Sequence, residues 1–190
     1  MNIGVLALQG AFREHIATVR TCGADTSEIR LPEQLGDCDG LIIPGGESTT
    51  IAKLIIEYAF TGAIETFARS GRPIFGTCAG AILLASRIEG NKNTLFNLID
   101  IDISRNAYGR QVDSREATVE ITTSDPFPFN AVFIRAPVIS DTGPAVTVLS
   151  HYRERAIMVR QDNILVATFH PELSGDSRIH DYFLNMVPTA

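Results

Sequence analysis

The chain has no tryptophan, four tyrosines, three cysteines and only two lysines. So few large aromatics leave little to stack on a flavin ring, and no G-x-G-x-x-G fingerprint or P-loop offers a nucleotide site instead. The cysteines, Cys22, Cys38 and Cys78, are odd in number and lack CxxC spacing. Neither a disulfide framework nor a zinc knuckle is therefore indicated, and a reducing, cytoplasmic setting is expected. No stretch approaches the ~18 consecutive apolar residues of a membrane span. The opening MNIGVLALQGAF lacks the basic n-region and cleavage site of a signal peptide. A net charge of −6 without any Lys/Arg-rich run argues against nucleic acid as a partner.

What is present fits one globular domain over residues 1–190, long enough to bury roughly 70% of its extended-chain surface. The basic residues are skewed toward arginine, fourteen against two lysines, which favours bidentate recognition of carboxylates or phosphates. Neither internal repeats nor Pro/Ser-rich linkers interrupt the chain.

Apolar run, tight turn and helical periodicity recur three times. Ile3 to Leu8 closes on Gln9-Gly10 and leads into Ala11–Cys22, with Phe12, Ile16 and Val19 at helical spacing. Gly40–Ile43 ends in Pro44-Gly45-Gly46, after which Ser48 is placed to cap a helix through Ile51, Leu54, Ile55 and Tyr58. Pro73–Phe75 leads through GTCAG into AILLAS. The alternation predicts a doubly wound, mostly parallel sheet with flanking helices, flavodoxin-like in plan. Beyond about Asn91 the runs at 99–103, 117–122, 131–134, 146–149, 156–159 and 164–169 alternate or are β-branched, predicting an additional antiparallel strand region in the C-terminal half. Gln161-Asp162-Asn163 reads as a hairpin turn, and 176–186 as a closing helix capped by Ser174 or Asp176.

The chemistry concentrates in three segments. In PIFGTCAGA, Cys78 lies between Gly76 and Gly80 at a strand-to-helix turn, the setting of a nucleophile elbow. The start of the following helix directs partial positive charge at the sulfur and favours a thiolate. A free cysteine is also commonly a small buried hydrophobe, so the elbow alone leaves both readings open. Thr168–Glu172 supplies His170-Pro171-Glu172; in an extended segment the imidazole and carboxylate project to one side, giving a base with its orienting acid. Pro44-Gly45-Gly46-Glu47-Ser48 offers backbone amides that, with the Ala79 amide, could receive an oxyanion. His15, His151 and His180 have no comparable company and read as surface residues. Cys22 and Cys38 read as structural.

Together these segments resemble the class I, or triad, glutamine amidotransferases, whose G-x-C-x-G elbow and downstream H-P-E form a Cys-His-Glu triad. LALQGAFREH (6–15), PGGESTT (44–50), GTCAGAILLA (76–85), RNAYGRQVDS (105–114), FIRAP (133–137) and FHPELSGD (169–176) are more specifically similar to the glutaminase subunits of pyridoxal 5'-phosphate synthases. These stretches span nearly the whole chain. The resemblance implies hydrolysis of L-glutamine to glutamate and ammonia, without cofactor or metal. Ammonia would pass to a synthase (lyase) subunit in a large hetero-oligomer. It puts the catalytic triad at Cys78, His170 and Glu172, and the oxyanion hole at Gly46 and Ala79. Glutamine binding falls on Gly46, Glu47, Ser48, Arg105, Ile134 and Arg135, and the partner interface on Gln9, Arg13, Glu14 and His15. One departure is TLFN (94–97), where many family members carry a Gly-Leu-Leu-like turn. A glutaminase serving another synthase, a flavodoxin-like binding module and a peptide or ester hydrolase are the rival readings.

Overall fold

A strand buried on both faces needs apolar side chains at every position, and the short runs GLII and ILVA meet that need in full. A computed structural model describes residues 1–92, 94–105 and 114–188. Its elements are, in chain order, β1 (Asn2–Leu6), α1 (Phe12–Thr21), β2 (Asp25–Ile29), β3 (Gly40–Ile43), α2 (Ser48–Glu57), α3 (Phe60–Arg69) and β4 (Ile74–Thr77). There follow α4 (Ala79–Leu84), β5 (Ala85–Ile88), β6 (Ile99–Ser104), β7 (Ser114–Ile121), β8 (Phe127–Ile134) and β9 (Val138–Thr142). The last are β10 (Thr147–Tyr152), β11 (Arg155–Gln161), β12 (Ile164–Ala167) and α5 (Arg178–Leu184).

The main sheet has the order β10-β11-β12-β4-β3-β1-β2. Its β2, β1, β3, β4 and β12 run parallel, and β11 and β10 continue it antiparallel. The β6–β9 pair of a second sheet, β5-β6-β9, and the hairpin β7-β8 complete the expected antiparallel region, while β5 joins β6 in parallel. Residue alternation along the strands sorts the core into two layers. Leu41 and Ile43 pack with Ile51, Ile55, Ile64 and Phe67 of α2 and α3 on one face, and with Ile99 and Ile101 of β6. Ile42 and Phe75 face the other way, toward Ile16 and Val19 of α1, Phe129 and Phe133 of β8, and Ile179 and Phe183 of α5. Helices on both faces put the β1–α1, β3–α2 and β4–α4 turns together at the carboxyl ends of neighbouring strands, where this architecture places ligands.

Two caps differ from expectation. Glu47, not Ser48, caps α2: its carboxylate accepts from the amides of Thr49 (3.1 Å) and Thr50 (2.8 Å) and from both threonine hydroxyls, more donors than a serine hydroxyl could satisfy. At α5 the cap position is Ser177, while Asp176, two residues ahead of the helix, accepts from the Arg178 amide at Oδ1 (3.0 Å). The 161–163 hairpin joins β11 to β12 as expected.

The elbow helix α4 presses so closely on β3 that a methyl group at Gly80 would run into the carbonyl oxygen of Ile43. Gly80→Ala is therefore expected to destabilise the fold by about 1–3 kcal/mol through overpacking, read as a lower urea midpoint at unchanged m-value.

Candidate active site

Cys78 sits between β4 and α4 with φ 47° and ψ −100°, a left-handed conformation disfavoured for any residue with a side chain. The flanking glycines permit it, since a Cβ at Gly76 would lie 2.6 Å from Leu84 Cδ1, and one at Gly80 would meet Ile43. The sulfur thus emerges at the C-terminal edge of the sheet, 3.9 Å from the carbonyl of Ile134.

His170 follows β12, the strand paired with β4, and its amide donates to Val132 O on β8 (2.8 Å). Its Nδ1 lies 2.7 Å from Glu172 Oε1, and it shares its cleft with Cys78. A carboxylate at Nδ1 demands the proton there, leaving Nε2 for the sulfur. The route to this geometry differs from expectation. Glu172 reaches its histidine through a single 3₁₀ turn, Pro171–Leu173, rather than through an extended segment, because the ring of Pro171 presets the φ that starts such a turn.

Glu172 is fully buried at its side chain. Burial would raise its pKa, but His15 and His170 outweigh this and hold it below the usual carboxylate value. Burial would likewise lower His170. Its partners Cys78 and Glu172 reverse the direction and raise it to about 10.

A cleft of about 450 Å³ opens over Cys78 and His170. Gly46, Glu47, Ile134 and Arg135 line it, as do Gly10, Ala11 and Glu14 of the first turn. Arg135 has φ 43° and is exposed, as are Gly46 and Glu47. The floor is set by glycine: a Cβ at Gly45 would lie 2.5 Å from His170 Cε1. The turn is pinned on both sides, with the Gly45 amide donating to Thr77 Oγ1 (3.1 Å) and its carbonyl accepting from Ala11 N (3.0 Å). The Glu47 amide donates to Gln9 Oε1 (2.9 Å). Ala79 is the first residue of α4, next to the sulfur.

Ser48 and Arg105 are not in this cleft. They line a second one of about 370 Å³ with Thr49, Ile82, Thr94 and Leu95, beside the first turn of α2. The Thr94–Asn97 loop contributes to it, with Phe96 buried and Asn97 at φ 52°. Residues 106–113, most of the RNAYGRQVDS stretch, lie outside the described residues.

Of the first-helix residues, Arg13 and Glu14 are exposed and Gln9 partly so. His15 is fully buried, which removes it from any surface that meets a partner and corrects its reading as a surface residue. The same holds for His180, whereas His151 is exposed. The signal was in the spacing: His15 lies three residues after Phe12 and four before Val19, and His180 adjoins Ile179 three residues before Phe183, on the inward stripes of α1 and α5. Cys38 is buried among apolar side chains and Cys22 partly buried, as structural cysteines. Among the described residues no His, Cys, Asp and Glu cluster is arranged to hold a metal ion, and no helix is long and apolar enough to cross a membrane.

Residues 5–189 match the SNO glutamine amidotransferase family. The chain belongs to that family. It is 51% identical over 187 residues to the pyridoxal 5'-phosphate synthase subunit PdxT of Desulforudis audaxviator, covering 98% of this chain and 99% of that one. It is 49% identical over 189 residues to the PdxT subunit of Bacillus pumilus, covering 100% and 96%. Among solved structures, a glutamine amidotransferase crystal structure superposes with a TM-score of 0.91 at 43% identity over 97% of this chain and 98% of that chain. PurLQS from Thermotoga maritima superposes at 0.74 with 17% identity, over 98% of each chain, which shows the shared fold.

The raised pKa of His170 gives a direct check. Its native value lies above the 6.5 of an ordinary histidine, so its contribution to stability is full below pH 6.5 and is lost as pH rises toward 10. Cys78→Ala removes one of the two raising partners while burial remains. The His170 resonance in an NMR titration is expected to move its midpoint down from about 10 in that variant, and the alkaline loss of stability should shift to lower pH with it.

Proposed function

We propose that this chain hydrolyses L-glutamine to L-glutamate and ammonia through Cys78, His170 and Glu172, as the glutaminase subunit of a pyridoxal 5'-phosphate synthase. The observation that carries the reading is His170 held between Cys78 and a buried Glu172, at 2.7 Å from the latter, at the base of a cleft in a glutamine amidotransferase fold. With its pKa raised to about 10, the imidazole can take the Cys78 proton and keep it while the sulfur attacks.

The thiolate attacks the side-chain amide carbon of glutamine. The carbonyl electrons move onto oxygen, received by the amides of Gly46 and Ala79. Collapse of this intermediate breaks the C–N bond while His170 delivers its proton to nitrogen, releasing ammonia and leaving a γ-glutamyl thioester. Water then attacks the thioester carbon, His170 takes its proton, and the C–S bond breaks to give glutamate and the thiolate. Glu172 stays ionised throughout and fixes the ring. Arg135 and the exposed backbone of Gly46 and Glu47, with Ile134 against the methylenes, bind the amino acid; Ser48 and Arg105 act from the second cleft.

Relatives near 50% identity over the full chain are named as synthase subunits, which favours this acceptor over another amidotransferase. The ammonia goes to a synthase subunit in a hetero-oligomer, docked beside the cleft at Gln9, Arg13 and Glu14. The protein acts in the cytoplasm, where its three cysteines stay as thiols.

Glutamate release from L-glutamine, by the chain alone and with its synthase subunit, tests the reading. Cys78→Ala should reduce the rate to the blank and Glu172→Gln should lower kcat by roughly 10²–10⁴-fold, with the parental rate rising when the synthase is added. Parental turnover in Cys78→Ala would refute the nucleophile, and indifference to the synthase would move the glutaminase to another partner.

A further inference from the structure

On the side of Glu172 away from His170 lies a second imidazole that the reaction as written does not use. His15, from α1, is fully buried, with Nε2 3.3 Å from Glu172 Oε2 and 3.0 Å from Thr77 Oγ1. Its Nδ1 is 2.9 Å from Nε2 of His180, also fully buried, and both rings stand edge-on to Phe75. The carboxylate oxygen Oε2 has no aligned hydrogen bond of its own, so the polar group that faces it most closely is His15 Nε2.

The tautomers follow from this geometry. A ring lone pair pointed at a buried carboxylate would be repelled, so Nε2 of His15 carries the hydrogen, toward Thr77 and Glu172 together. Nδ1 is then the acceptor, and His180 donates to it through Nε2–H. Desolvation lowers the pKa of His15 and brings that of His180 to about 3, so the pair acts as oriented dipoles rather than as charges. Polar groups in an apolar layer are costly unless paired, and here His180, His15, Glu172 and His170 stand in a row at 2.9, 3.3 and 2.7 Å, with Glu172 Oε2 and His180 Nδ1 left without an aligned hydrogen bond.

We propose that His15 is a positioning residue for the glutaminase reaction: anchored by His180, its Nε2–H fixes the rotamer of Glu172, and Glu172 fixes His170 against Cys78. The proposal rests on the triad reading above and adds a fourth side chain to it. Through Thr77, whose hydroxyl also accepts from the Gly45 amide, the same contact bears on the turn that carries Gly46.

The test uses the full chain with its synthase subunit and two replacements of His15. Glutamine can present its side-chain N–H near the position of the ring Nε2; leucine cannot. His15→Leu should lower kcat by about 10²-fold with KM within about twofold, as expected for a displaced catalytic group, and His15→Gln should recover most of that loss. In a Glu172→Gln background His15→Leu should add little further loss, because both changes act through one carboxylate. Equal losses for Leu and Gln, a loss borne by KM, or a full multiplicative loss in the Glu172→Gln background would overturn the proposal.

Alkylation of Cys78 by iodoacetamide, read on its peptide by mass spectrometry, supplies a readout that needs no turnover. The expected order is parent, then His15→Gln, then His15→Leu. A parent that alkylates rapidly yet releases no glutamate would defeat the glutaminase reading, while the order of the variants would still decide the role of His15. Should His15→Leu fail to fold, His180→Asn removes only the rear anchor and should show the same kcat-borne loss in smaller degree; unchanged kcat there would count against the line.

Discussion

A carboxylate sealed between the two layers of an α/β sandwich is the constraint to which the surrounding structure answers. An unpaired charge in that position would be untenable, so Glu172 is tolerable only with partners brought from other elements. His170 comes from the end of β12, His15 from α1, and Thr77, which steadies His15, from the end of β4. Three elements that meet only in the folded chain are thereby joined around one side chain. His15 and His170 together hold the carboxylate ionised against its burial.

The loops at this end of the sheet also interlock. Main-chain amides of the β1–α1 and β3–α2 turns bond across to neighbouring turns, to a carbonyl in one case and to side-chain oxygens in two. Ala11 donates to Gly45, Gly45 to Thr77, and Glu47 to Gln9. Gly10 has φ 102°, and a Cβ there would run into the carbonyl of Gly45. The orientation of the Gly45–Gly46 peptide is thus set by the first turn of the chain, whose neighbours Arg13 and Glu14 face outward. A partner seated on α1 would press on the same peptide that is proposed to hold the oxyanion.

Much of this was legible in the sequence because the physics is local. GLII and ILVA can only be buried strands, the glycines around Cys78 signal a left-handed elbow, and H-P-E keeps acid and base two residues apart. What escaped depends on the tertiary structure. β2, DTSEI, is an edge strand with one buried residue, so it shows no apolar run. The helical pattern after Ser48 breaks at Ala59, with φ 58°, and resumes as α3, a break that no proline or glycine announces. His15 was readable as an inward position from its spacing, but its partner Glu172 is 157 residues away, and no local pattern pairs them.

The two silent histidines also explain how the site keeps its proton in one place. Were His15 protonated, it would compete with His170 for the single charge of Glu172, and the imidazolium beside Cys78 would lose part of its counterion. Burial of His15 and His180 removes that competitor, because an imidazolium there would have to be formed out of reach of water. Of the three buried rings, only His170 borders the cleft, and its pKa is raised where those of His15 and His180 are lowered, as its proposed delivery of a proton to ammonia requires. The proposed backing for the Glu172–His170 pair thus comes from α1 and α5, through side chains buried beneath the cleft rather than in it.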